Sequence, residues 1–240
     1  MDLYNNKYKD FFNIYYNNLN TIMKYLKLYE EFNQDLIDKL IEDTKRTGEE
    51  HGVKIIFENS KTVPYIVGGF PCSGYFVDYG NPTLAVAMGK PKEEFAMVLV
   101  HESCHMDQWI EKSPPWNNNF IDGKESVDYI DEWLSGKEFT PEELDNFIRR
   151  SIEVESDCER RTIEKAKSYN LPINIEEETQ KANSYILFYS MLKEVRKWNV
   201  SGKAPYQIKE VWSQMPKTFD MDYYNVPENL KELYLKYCFD

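Results

Sequence analysis

Residues 95–105 read Phe95-Ala96-Met97-Val98-Leu99-Val100-His101-Glu102-Ser103-Cys104-His105: an apolar run leading straight into an HExxH pattern. On a helix, side chains four apart share a face, so His101 and His105 can offer two imidazoles to one cation. Glu102 lies ~100° further round, beside that cation and not behind it, where a base can hold water. A helix apolar on several sides is an interior helix, which predicts a buried or cleft setting for both histidines. Burying His, Glu and His together without a metal would be costly. The chain has three histidines, and the pattern uses two of them. The third, His51, follows a helix stopped by Gly52 and reads as a surface residue.

Working outward, Pro91 can open this helix and Pro114-Pro115 cannot continue it, so it should end near Glu111. Upstream, Gln34 to Glu50 reads as a helix, with Leu36, Ile37, Leu40 and Ile41 on one stripe. A weaker helical pattern covers Asn20 to Phe32. Strands are expected at Val53–Glu58, Gly74–Asp78 and Thr83–Met88, the last two joined by Tyr79-Gly80-Asn81-Pro82. Downstream, Trp116–Gly123 reads as a loop and Glu125–Leu134 as a short helix. Thr140-Pro141-Glu142-Glu143 has the form of a capping box and opens a helix expected to reach Tyr169. A last long helix should span Ile175 to Trp198. This mixture predicts an α+β class in a single domain over 1–240, with a core at about 34–199 and peripheral segments at 1–33 and 200–240.

A catalytic zinc site takes three protein ligands. Helical phase selects among the acids of Ser151–Arg161. With Phe147 at zero, the apolar stripe of Ile148, Ser151, Ile152, Cys158 and Thr162 centres at ~60–80°. Glu155 falls at ~80° and Glu159 at ~120°, whereas Glu153 and Asp157 fall at ~240° and ~280° with the arginines. A carboxylate in the middle of an apolar face must be protonated, paired or metal-bound. Glu155 is therefore the expected third ligand, and Glu159 the expected acceptor for a ligand histidine's other N–H. Glu153 and Asp157 read as a solvated face paired with arginines. Cys104 and Cys158 read as core thiols, and Tyr185 and Tyr189 as packing.

The chain carries a formal net charge of −12, which argues against a nucleic-acid partner. No run of apolar residues is long enough to span a membrane, and no secretory signal is expected at the N-terminus. Cys72, Cys104, Cys158 and Cys238 include no CxxC pair and suit reduced thiols in a cytoplasmic protein.

With HExxH on one helix and a downstream helical glutamate, residues 83–169 resemble the zincins, and more narrowly gluzincin-type metallopeptidases. The segments His101–Trp109 (HESCHMDQW) and Glu155–Arg161 (ESDCERR) also look, more loosely, like uncharacterised HExxH proteins of tailed phages. The zincin resemblance implies a helix-rich domain beside a small, twisted, mainly antiparallel sheet. It implies a Zn2+ ion held by His101, His105 and Glu155, Glu102 as general base, and a peptide or protein substrate. It also implies that a strand just before the motif helix lines the cleft, and Thr83–Met88 reads equally as that rim or as an ordinary sheet strand. Several gluzincins carry ExxxD. Glu153-x-x-x-Asp157 fits that string literally and Glu155-x-x-x-Glu159 only in spacing, so Glu153 stays the alternative ligand. The alternative function is a non-catalytic metal-binding protein.

Overall fold

A computed structural model describes residues 34–65 and 71–239. The helix expected over Asn20–Phe32 lies outside them. Helix α1 covers residues 34–51, closed by Gly52 at φ 71°. Strands follow at β1 (Lys54–Glu58), β2 (Val63–Pro64), β3 (Pro71–Cys72), β4 (Gly74–Val77) and β5 (Thr83–Ala87). Then come α2 (Lys92–Glu111), α3 (Pro114–Asn119), β6 (Phe120–Ile121), β7 (Lys124–Glu125) and α4 (Ser126–Leu134). The long helices α5 (Pro141–Ser168) and α6 (Ile175–Val195) lead to a 3-10 turn at Pro205–Gln207, then α7 (Lys209–Trp212) and α8 (Glu228–Cys238). The class is α+β.

The principal sheet has the order β1-β5-β4. The β1–β5 pairing is parallel and β4–β5 antiparallel, so this sheet is mixed. The two-residue ladders β2–β3 and β6–β7 are antiparallel. Strand β5, all five of whose residues are buried, is the central strand. Of the two readings of Thr83–Met88, cleft rim and ordinary sheet strand, this position matches the second. A strand bonded on both sides has no backbone groups left for a substrate; among the described strands, the edge nearer the motif helix belongs to β4.

Helix α5 begins as its sequence requires. Thr140 N donates to Glu143 Oε2 at 2.8 Å, and Glu143 N donates to Thr140 Oγ1 at 3.2 Å. The prolines at 114 and 115 end α2 but also start α3, where a loop was expected. Ser113 caps it by accepting from Trp116 N at 3.4 Å, and proline is at home in a first turn. Helix α6 stops at Val195 with Arg196 left-handed, three residues short of the expected Trp198.

Two hydrophobic cores share α5. Its Phe147, Ile148 and Ile152 pack with α4, α6 and the C-terminal helices. Its Val154, Cys158 and Ala166 pack with α1, α2 and the sheet. Residues 152 and 154 lie ~200° apart round the helix, so one rod serves as wall to both cores. No described helix is long and apolar enough to cross a membrane.

Candidate metal centre

Helix α2 brings His101 and His105 together as its spacing requires, with ring centroids 4.8 Å apart. Helix α5, packed against it, brings Glu155 to the same place. Glu155 Oε2 lies 3.8 Å from His101 Nε2 and 3.5 Å from His105 Nε2. Glu159, one turn on, places Oε1 3.3 Å from His101 Nδ1. The four side chains are only 12–19% exposed. Glu153 is not part of this group; it pairs with Arg149 at 3.2 Å. His51 is exposed, with Nδ1 3.0 Å from the Thr47 carbonyl oxygen.

The two oxygens of Glu155 are treated differently. Oε1 faces the hydroxyls of Tyr185 and Tyr189, each at 3.4 Å. Oε2 is buried and has no hydrogen-bond partner. A buried carboxylate oxygen without a hydrogen bond is costly unless the imidazoles facing it are protonated or a cation completes the group. Zinc at ~2.0–2.1 Å from tetrahedral donors sets them about 3.3–3.4 Å apart. The separations of 3.5 and 3.8 Å at Oε2 stand just beyond that edge. The donor set, two imidazoles and a carboxylate, is one that catalytic zinc uses.

Cys158 competes for the role of third donor: its Sγ and one nitrogen from each imidazole lie within 4.8 Å of one another. It acts on both rings, and its closest contacts are on the Nδ1 edge of His101. Sγ stands 3.7 Å from Nδ1 and donates to the His101 carbonyl oxygen at 3.4 Å. That edge already faces Glu159, while the Nε2 edges face Glu155 Oε2. Among the described residues, the donors that all lie within 4.8 Å of one another are those of His101, His105 and Cys158, and Glu155 Oε2 faces the two Nε2 edges at 3.8 and 3.5 Å.

Charge coupling inside the site is strong. Burial would push the His101 imidazole down, but Cys158 and Glu159 outweigh it and hold its pKa well above the usual value. His105 behaves likewise, with Cys158 and Glu155 outweighing burial. Burial pushes Glu155 up, and the two histidines and Tyr189 pull it below the ordinary carboxyl value. Glu102 goes the other way: burial raises it more than the histidines lower it. Burial also drives Tyr185 and Tyr189 far up, so both remain hydroxyl donors.

Strand β4 presses on α2 beside Glu102. A Cβ on Gly74 would stand 3.0 Å from Glu102 Cγ and 2.8 Å from Val98 Cγ1, so only glycine leaves the room taken here. Tyr206 of the 3-10 turn packs edge-on to Tyr185, with ring centroids 6.0 Å apart. Trp116, buried, stands 6.0 Å from His105 between rings.

Sequence reasoning missed two contributions. The tyrosine pair, read as packing, also touches Glu155; the signal was two tyrosine hydroxyls four apart on one face of a buried helix. Gln108 was passed over although it lies seven residues after His101, on the same helical face. Its Oε1 is 2.8 Å from His105 Nδ1. Compared with family models, with curated proteins and with solved structures, the chain matches none.

Proposed function

We propose that the chain is a zinc-dependent peptidase of the zincin kind. One observation carries the reading: Glu155 Oε2, buried and bare, set against the Nε2 atoms of His101 and His105 while their Nδ1 atoms are occupied elsewhere. His101, His105 and Glu155 would hold the ion. Bound zinc supplies Lewis acidity, polarising a carbonyl and lowering the pKa of water.

The other steps belong to this chain's own residues. Glu102, its carboxyl pKa raised by burial, is suited to take a proton from the attacking water and hand it to the leaving amine. The edge of β4, beside Glu102, can pair with an extended peptide backbone. The Tyr185 and Tyr189 hydroxyls steady the ligand carboxylate. All four cysteines are free, which suits a reducing compartment, and we place the protein in the cytoplasm of a bacterium or of a phage-infected cell.

A second reading, a non-catalytic metal-binding protein, is favoured by the enclosure of the site: His101, the most open of its four ligand and acceptor side chains, is 19% exposed. Metal analysis and proteolysis separate the two. Under the first, purified protein carries one zinc per chain and cleaves casein, and Glu102→Gln keeps the zinc and loses the cleavage. Under the second, wild type holds zinc and cleaves nothing. Native protein that refuses zinc ends both.

A further inference from the structure

Gln108 is fully buried and its amide spans the α2–α5 interface. Its Nε2 gives one hydrogen to the Val154 carbonyl oxygen at 3.0 Å and the other to Asp157 Oδ2 at 2.8 Å. Both are acceptors only, so the amide has one tolerable orientation. Flipping it would set Oε1 against two acceptor oxygens. With Nε2 so committed, Oε1 must face His105 Nδ1, as it does at 2.8 Å. An acceptor there requires hydrogen on Nδ1, which leaves the Nε2 lone pair as the one His105 can give to a metal beside Glu155. Asp157 is itself fixed: Arg161 Nε holds the same Oδ2 at 2.7 Å, and the other end of that guanidinium holds Glu111 at the foot of α2, also at 2.7 Å.

We infer that Gln108 is a positioning residue, oriented by Asp157 and Arg161, that holds His105 with its proton on Nδ1 and its Nε2 turned to the ion. Resting as it does on the metal reading, this gives Asp157 a task that its place on the arginine face of α5 concealed. Glu159 acts on His101 by direct contact; His105 is served at one remove, through an amide that reverses the direction of donation.

The test uses the full chain, with zinc affinity measured by competition with a chromophoric chelator. Gln108→Met, close in volume but without an acceptor, should weaken zinc binding about 10- to 100-fold. Asp157→Asn, at a partly exposed position and so a milder change to folding, loosens one of the two acceptors that orient the amide and should weaken binding on the order of tenfold or less. The double variant should be no worse than Gln108→Met alone, because Asp157 acts through Gln108; independent structural losses would add. Wild-type affinity in Gln108→Met, or additive losses, overturns the proposal.

A second readout needs no metal. Only three histidines occur, so nitrogen-15 histidine labelling with single substitutions assigns each ring. In metal-free wild type, His105 should show a hydrogen-bonded, slowly exchanging proton on Nδ1, and Gln108→Met should lose it. If wild type binds no zinc but shows this proton, the metal reading fails and the amide arrangement stands. If the proton is missing in wild type, or persists in Gln108→Met, the arrangement fails whatever zinc does.

Discussion

Replacing Gly74 by alanine puts a methyl group where β4 presses on the helix that carries the motif. The new Cβ would meet Val98 Cγ1 at 2.8 Å, the Ala85 carbonyl oxygen at 3.0 Å and Glu102 Cγ at 3.0 Å. Ala85 O belongs to the central strand and cannot retreat without disturbing β4–β5 pairing, so α2 or the Glu102 side chain must give way. Overpacking of this kind costs about 1–3 kcal/mol. At roughly 2–4 °C per kcal/mol for a chain of this size, the melting temperature should fall by about 2–12 °C. Displacing Glu102 by ~1 Å should cost casein cleavage up to about 100-fold. Zinc content should not change, since Glu102 is not a ligand. Thermal unfolding by circular dichroism, zinc analysis and a casein assay check the three parts. Adding Val98→Ala removes the 2.8 Å contact and should recover part of the stability, so the double variant is less destabilised than the sum of the singles, while cleavage stays low. An alanine variant that melts and cleaves like wild type would refute the close approach of β4 to Glu102.

Zinc at 100 times its dissociation constant should stabilise wild type by about 2.7 kcal/mol, a rise of roughly 5–11 °C in thermal scans. Glu155→Gln should abolish that rise and Glu102→Gln keep it; a full rise in Glu155→Gln would remove Glu155 from the ligand set. Leu99, fully buried in α2, should cost about 2–5 kcal/mol on truncation to alanine, read from urea unfolding, and a loss below about 1 kcal/mol would contradict its burial. The Tyr169 hydroxyl, 2.8 Å from Asp43, holds that carboxyl below its ordinary value. The resulting stability is complete above the unfolded pKa of about 3.9 and is lost as pH falls through the folded one. Tyr169→Phe should therefore lower stability at neutral pH and flatten its acid limb; an unchanged acid limb would count against the contact.

Much of this was legible because it is local. The capping box at Thr140, the apolar phase that singles out Glu155, and the four-residue spacing of the histidines all act within a turn or two of helix. Glu153 and Glu155 are two residues apart, and their phase alone separated the acid paired with Arg149 from the one facing the imidazoles. The sheet was harder. The run Thr83–Ala87, buried throughout, does not alternate, and that pattern suits a central strand; strand order, however, depends on partners far away in sequence. The work of Gln108 and Asp157 was hidden for the same reason, since neither side chain means anything until α2 and α5 bring together residues 49 apart in sequence. At Pro114-Pro115 one signal had two readings, a stop and a start, and only the stop was taken.

The common wall formed by α5 has a mechanical implication. The imidazoles ride on one packed body and the tyrosines on the other, and the glutamate stands on the rod between them. The gap between nitrogen and oxygen is thus a gauge of how the two bodies are seated. Swelling or tilting either would spoil the grip on an ion without touching any of the groups that make it.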